Sequence, residues 1–503
     1  MNRAGPAQSA TALSQKLRNM LAQPLKTSEI DLYAELNGLL SQIGETTEDT
    51  GGQITFYGKD PIIASRASFG AMSALALAAK SVIIASIWRD RTGEGQNIHV
   101  DVRKALRRFS PFIDRKWELV NGYPGQSDIA NPFDSHTLFH ATADGGWAVA
   151  GAWYPVIRQK TLQFLNAVDS PEAITRAIGK WNRLELESAA EEAHVPITIT
   201  RTLLELMGHP AFQNIGGQSL ITIEKIADTD PVPFTPHPRA STPLDGIKVL
   251  GLTHVIAGPA IGRALALHGA DVLNLFRPDD VELQKFYFTS HVGLRSSRLD
   301  YSNTETRPQF DMLLSDADIF ISNRRHGYLG RYHMTAETLC AQKPGLIHTT
   351  VSFMAETGTW SDRVGFDLNA GAGLGLNHLE GNDQLPQPTP IVVVSDYVVG
   401  WLAAAGTLAA LRRRAKEGGS YKVNVSIART TLWLMELGIF DRRYANNVAG
   451  SSDEHLYPDP DQFSAQTPMG LYTGVKEMVE MTKTPGEYRF PLNPIGSGPL
   501  QWL

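Results

Sequence analysis

Apolar positions along this chain follow three rhythms. In the first fifty residues Leu13, Leu17, Met20 and Leu21 recur at helical spacing, which predicts one or two amphipathic helices docked on a larger body. Two longer runs are apolar all round. Ala71–Trp88 carries only Lys80, and Pro390–Leu411 carries Asp396 near its start and Arg-rich sequence beyond its end. A membrane span needs about 20 apolar residues, so both runs read as buried helices of a globular protein. After residue 244 the rhythm becomes short apolar runs alternating with helical segments. Lys248–Thr253, Asp271–Phe276, Asp316–Ser322 and Gly345–Ser352 read as strands, with a helix from Pro259 to His268 ended by Gly269. Strand–helix–strand alternation predicts an α/β fold, a Rossmann-like doubly wound parallel sheet with long buried helices and a smaller α+β domain. Sheets of this kind bind ligands at the carboxyl ends of their strands.

Punctuation divides the chain. The stretch 228–244, DTDPVPFTPHPRASTPL, holds five prolines and reads as a linker. Around it the expected units are an N-terminal helical segment (1–50), a partial copy of a helix–strand unit (51–130), a small α+β domain (131–227), a Rossmann-like domain with a second copy of that unit (245–440), and a C-terminal tail (441–503). The two copies are visible as an internal repeat. SVIIASIWRDRTGEGQNIHVDVRKA (81–105) matches AGTLAALRRRAKEGGSYKVNVSIAR (405–429) at an offset of about 323 residues. That spacing is too long for a solenoid and indicates duplication and fusion.

Composition narrows the function. Of 503 residues 42% are apolar, and 46 Lys and Arg against 52 Asp and Glu leave a net charge of −6. No overall basic field recruits nucleic acid or an anionic membrane. One cysteine, Cys340, excludes an internal disulfide framework and a multi-cysteine metal site. With no apolar signal core among the first residues, a reducing, cytoplasmic setting is expected. The loop Ala257–Gly262 is not a G-x-G-x-x-G turn, and no acidic residue ends the next strand, so dinucleotide binding is not expected. His136 and His140 lack the companions a metal site requires, and no metal is expected.

Four blocks occur in a telling order: PLDGIKVLGLTHVIAGPAIGRALALHGADVLNLFRPDD from residue 243, DADIFISNRRHGYLGR (316–331), KPGLIHTTVSFMAETGTWSDRVGFD (343–367) and SDYVVGWLAAAGTLAALRRRAKEGGSYKVNVS (395–426). They resemble the class III CoA-transferase family (CaiB/BaiF-like), which includes formyl-CoA transferase-like and α-methylacyl-CoA racemase-like enzymes. FHATADGGWAVAGAW, near 139–153, resembles the start of that family's small domain. The element order is permuted, as if the back half of one copy had been fused to the front of another.

The resemblance implies coenzyme A and its acyl thioesters as substrates, with no permanently bound cofactor, and small carboxylic acids as partners. Asp396 follows the apolar run Ile391–Val394, which reads as a strand, and opens a helix. A carboxylate there is favoured by free N–H groups and the helix dipole, and as an anion it can attack a thioester to give a mixed anhydride. In the transferases it resembles, this position is that nucleophile. Asp367, in Gly365-Phe366-Asp367, matches a position that acts as acid/base at the α-carbon in the racemases it resembles. Arg277, Leu299, Asn323, Arg324 and Arg331 fall on or beside expected CoA contacts, since guanidinium forks suit phosphate. His254, Val255, Ile256 and Ala257 form the loop expected to pack the thioester end.

Departures from the family pattern include Ser302 for a lysine, Phe353-Met354-Ala355 for a Gly-Phe-Gly run, Ile256 for a glutamine, and the lack of a multi-glycine loop. They suggest a bulkier or more apolar acyl group, or weakened catalysis. The leading expectation is an acyl-CoA:carboxylate CoA-transferase. The alternatives are an acyl-CoA racemase or isomerase working through Asp367, and a catalytically weakened CoA-binding protein. A homodimer is expected because the two long helices are too apolar to remain exposed.

Overall fold

The structure is a computed structural model, and it describes residues 6–109, 111–126, 139–234 and 241–503. Its frame is a seven-stranded sheet. The strands are β1 (Thr222–Ala227), β2 (Lys248–Leu252), β3 (Asp271–Phe276), β4 (Arg295–Arg298), β5 (Ile319–Ser322), β6 (Ile347–Ser352) and β7 (Ser420–Ser426), in the spatial order β4-β3-β2-β5-β6-β7-β1. All neighbours run parallel except β7 and β1, which pair antiparallel. The four residues of β5 are all buried, as they must be where both faces of a parallel sheet are covered. Chain order reverses between β2 and β5, and Leu252 lies opposite Ser322 at their carboxyl ends. The residues that follow, Thr253 onward and Asn323 onward, therefore open side by side at the point where a doubly wound sheet forms its crevice.

Four helices build on this frame: α1 (Phe69–Thr92), α2 (Ala257–Ala266), α3 (Asp367–Gly373) and α4 (Asp396–Glu417). α1 and α4 pack against each other and α4 also packs against α2. Every residue of α1 from Phe69 to Trp88 is buried, and Lys80 among them meets Glu477 at 3.1 Å. Among the described residues α1 is the one helix long and apolar enough to cross a membrane, and its apolar stretch lies wholly inside the protein. The apolarity of α1 and α4 is thus satisfied within one chain, so their burial does not require a second copy.

The small domain packs helices Pro155–Leu165, Pro171–Ile178 and Arg183–Glu192 over an antiparallel sheet of His140–Ala141, Trp147–Ala150 and Ile197–Ile199. Three features differ from the sequence reading. The stretch assigned to the small domain ends in β1, a main-sheet strand contributed from before the linker. Residues 441–503 are woven in rather than trailing. Gln462–Thr467 and Gly470–Val475 form a hairpin, and Val479–Met481 pairs with Ile98–Asp101 beside α1. Finally, Ile391–Val394 is not a strand, because its last amide is taken by a side chain instead of a ladder partner. Of the linker, 235–240 lie outside the described residues, as does His136.

Candidate active site

Asp396 occupies the first turn of α4 and is 8% exposed. Its place in the molecule is set by small residues. A Cβ on Gly400 would come within 2.5 Å of the Ala260 Cβ and 3.3 Å of the Ala257 carbonyl, so the first turns of α4 and α2 touch. Asp396 accordingly stands beside the loop His254–Ala257 at the β2/β5 crevice.

Asp367 opens α3 and is also buried, but its chemistry differs. Its Oδ1 accepts the Ser395 N–H at 2.8 Å and the Ser395 hydroxyl, and its Oδ2 accepts the Val394 N–H at 2.6 Å. Both oxygens are engaged, so Asp367 fixes the residues leading into α4. Expected from the sequence as an acid/base at a substrate carbon, Asp367 has a structural task here, holding the entry to α4 through three accepted hydrogen bonds. Asp396 receives no hydrogen bond on its carboxylate from the described residues. Burial and the neighbouring Asp367 charge push its affinity for a proton well above the ordinary carboxylate range, and burial raises Asp367 as well.

The loop opposite is held tightly. The Asn323 side chain brackets His254, accepting its N–H at 3.1 Å and donating to its carbonyl at 2.7 Å. Asn323, expected as a CoA contact, therefore shapes the loop, using one of its two amide N–H groups and one oxygen lone pair. Val255 has φ of +66°, a left-handed conformation disfavoured for a β-branched residue. Ile256 and Ala257 lead into α2, whose N-terminus has no side-chain cap. Burial, with Arg324 as a further cause, holds His254 neutral, well below the usual imidazole range.

Of the arginines, Arg324 donates to Asp280 at 2.6 Å and lies over the Tyr328 ring. Arg277 binds Asp279 at 3.0 Å and reaches Ser302 and Tyr332. Together they form a polar rim with partly neutralised charge beside β3 and β5. Arg331 is exposed at the end of the short helix His326–Arg331. Leu299 is 3% exposed and packs in the core beneath β3, so its side chain offers no ligand surface. His348 bonds the Met334 carbonyl at 3.1 Å and stacks on Phe320, a structural histidine. Among the described residues no group of side chains could hold a metal ion.

Several site residues escaped the sequence reading. Tyr154 of the small domain faces His254 with ring centroids 5.9 Å apart and stacks on Phe366, which also meets Trp153 edge-on at 4.9 Å. The Asp396 charge is among the causes, after burial and Glu282, that raise the Tyr154 phenol well above its ordinary value. Glu282, on the loop after β3, accepts the Tyr154 hydroxyl and the Val255 N–H at 2.8 Å. The available signal was Trp153-Tyr154-Pro155 at a strand-to-helix junction, where aromatic side chains often wall a site. A cavity of about 650 Å³ adjoins this wall, lined by Trp153, Arg158, Gln163, Asn166 and Leu283 among others.

A reversing parallel sheet, an uncapped helix start and a buried carboxylate without donors meet at the switch point of an α/β fold. Residues 244–474 match the model of CoA-transferase family III. The acetyl-coenzyme A transferase nodX of Hypoxylon pulicicidum is 28% identical over 385 residues, covering 72% of this chain and 63% of that protein. The succinyl-CoA–D-citramalate CoA-transferase of Chloroflexus aurantiacus is 28% identical over 244 residues, 44% of this chain and 60% of that protein. A formyl-CoA:oxalate CoA-transferase of Escherichia coli is 27% identical over 246 residues, 46% and 59% respectively. The chain spans about six-tenths of the length of these curated relatives.

Proposed function

We propose that this protein is an acyl-CoA:carboxylate CoA-transferase in which Asp396 is the nucleophile. The observation that carries the reading is the pairing of a donor-free, buried Asp396 with a donor-saturated Asp367 at the mouth of the β2/β5 crevice. A carboxylate stripped of water and hydrogen bonds is a stronger nucleophile than a solvated one. An Asp396 oxygen forms a bond to the thioester carbonyl carbon, the C–S bond breaks, and CoA leaves as thiolate. The thiolate then attacks the aspartyl carbonyl of the mixed anhydride, giving an aspartyl-CoA thioester and releasing the donor acid. The acceptor carboxylate repeats the sequence in reverse and frees Asp396. No atom is gained or lost from the protein over the cycle.

The chain's residues divide the work. The loop His254–Ala257 and the start of α2 border the reacting carbonyl, and Arg277 and Arg324 offer cationic rim positions for the phosphate end of CoA. Trp153, Tyr154 and Phe366 wall the acyl side, which favours a bulkier or more apolar acyl group than formyl. The occupied oxygens of Asp367 speak against α-carbon proton abstraction through it. One chain suffices to bury α1 and α4, so we expect the reaction to need no second copy for helix burial.

The test is mass spectrometry of CoA esters after incubating the protein with a panel of acyl-CoAs and a mixed pool of carboxylic acids, with and without hydroxylamine. New CoA esters and a hydroxamate mapped to position 396 are expected from the native chain and neither from Asp396→Ala. Full transfer by Asp396→Ala would overturn the reading.

A further inference from the structure

We propose that Glu282 is a positioning residue of this site: its carboxylate anchors the strand-to-helix loop at Val255 in a left-handed backbone state and fastens Tyr154 of the small domain onto the same point. The proposal rests on the transferase reading above for its effect on turnover, while its structural half stands on geometry alone.

Glu282 is used on both oxygens. Oε2 accepts the Val255 N–H at 2.8 Å, and Oε1 accepts the Leu283 N–H at 3.0 Å together with the Tyr154 hydroxyl. Three separate parts of the chain therefore meet on one carboxylate: the loop after β2, the loop after β3, and the start of helix Pro155–Leu165 in the small domain. Burial weakens its acidity and raises its midpoint to about 7, against the donors and Arg324, which lower it.

The anchored residue is under strain. A valine at φ of +66° is held in a left-handed region that disfavours any β-branched residue. Such a conformation persists only where the surroundings over-determine it, and here they do. The Ser290 hydroxyl donates to the Val255 carbonyl at 2.6 Å, Asn323 brackets His254, and Glu282 takes the Val255 amide. Of these holders, Glu282 alone also reaches the small domain. The turn at Val255 aims the chain into α2, whose first turn contacts the first turn of α4 through Ala260 and Gly400. A relaxed Val255 would rotate that entry and shift it against Asp396. Tyr154 is placed by the same bond, facing His254 at 5.9 Å and within electrostatic reach of Asp396. Glu282 touches none of the reacting atoms in this arrangement, so its effect is on geometry.

Glu282→Gln tests this, since the amide sets an N–H₂ donor against one of the donors the carboxylate accepts. Two readouts are taken on the full chain: amide hydrogen exchange of the peptide spanning 252–258, and kcat and KM for the best acyl-CoA of the panel. We expect faster exchange at Val255 and a kcat lowered about tenfold or more with KM changed less than about threefold, because a misplaced loop costs orientation rather than uniform binding. Adding Val255→Gly should restore kcat to within about threefold of native, since glycine adopts positive φ without strain. A general loss of fold would not be repaired that way. Tyr154→Phe, which removes one donor and leaves the Val255 bond, should lower kcat with little change in exchange at Val255. Unchanged exchange in Glu282→Gln overturns the anchor. Faster exchange with native kcat, or failure of Val255→Gly to restore it, overturns the positioning role. If the native chain transfers nothing across the panel, the transferase reading falls and the exchange result decides the anchor by itself.

Discussion

Asp60 and Asp367 hold equivalent pairs of backbone amides in the two halves of the chain. Asp367 takes the N–H groups of Val394 and Ser395, and Asp60 takes those of Gly70 at 3.0 Å and Ala71 at 2.7 Å. Gly70 and Ala71 precede Val394 and Ser395 by 324 positions, close to the offset of the sequence repeat. Each carboxylate secures the start of a long buried helix, α1 or α4. The residue that follows the clamped pair is Met72 in the first half, wholly buried, where the second half has Asp396. The clamp thus persists where no nucleophile exists, which identifies its job as fixing the helix entry.

Asp60→Asn and Asp367→Asn should therefore destabilise the protein alike. Each replaces a charge-assisted acceptor of two amides by a group that can serve only one, worth about 1.5–3 kcal/mol. Urea unfolding should show similar losses for both. Turnover per folded molecule should fall only for Asp367→Asn, and an equal fall for Asp60→Asn would contradict the division of roles.

The pH dependence has a definite sign. Asp396 must be ionised to attack, and burial with the adjacent Asp367 raises its proton affinity well above the ordinary carboxylate value of 3.8. Activity should rise with pH through that raised midpoint, far above the range in which an exposed aspartate titrates. A kcat/KM profile already flat from pH 4 to 5 would refute it.

The same shift couples to stability. A group that binds its proton more tightly in the folded state stabilises the fold at low pH and loses that contribution as pH rises through the folded midpoint. Asp396→Asn, which carries no charge at any pH, should melt at a higher temperature than the native chain at pH 8, with the gap closing toward pH 4. Its transfer activity should drop by about three orders of magnitude or more, as for loss of a nucleophile. Calorimetry at the two pH values gives the comparison.

Gly400 and Gly406 lie on different faces of α4, and both fill close contacts. A Cβ at Gly406 would meet Ile221 at 2.6 Å and Val423 at 2.8 Å, away from the site, whereas one at Gly400 meets Ala260 of α2. Either alanine should cost about 1–3 kcal/mol by overpacking. Gly400→Ala should in addition lower kcat, because it separates the two first turns that frame Asp396. Thermal melts paired with turnover would tell the two apart.

The hydrophobic rhythm of the chain carried most of the architecture. β2, β3, β5, β6 and the helices α1 and α4 follow from runs whose periodicity reflects burial on every side, a property local sequence records directly. The repeat and the four ordered blocks also pointed to Asp396, because a carboxylate opening an apolar helix stands out against its neighbours. Tertiary structure decided the rest. Ile391–Val394 has the composition of a strand, yet a side chain 27 residues away takes its last amide. Asp367 and Asp396 are the same residue type 29 positions apart in the sequence, and only folding surrounds one with donors and leaves the other without. Glu282 and Tyr154 sit 128 positions apart and carry no mark of their partnership until the small domain closes on the sheet. Periodicity reports what a residue buries. Which groups share a hydrogen bond, and hence which carboxylate is a clamp and which a nucleophile, depends on long-range contacts that no local pattern encodes.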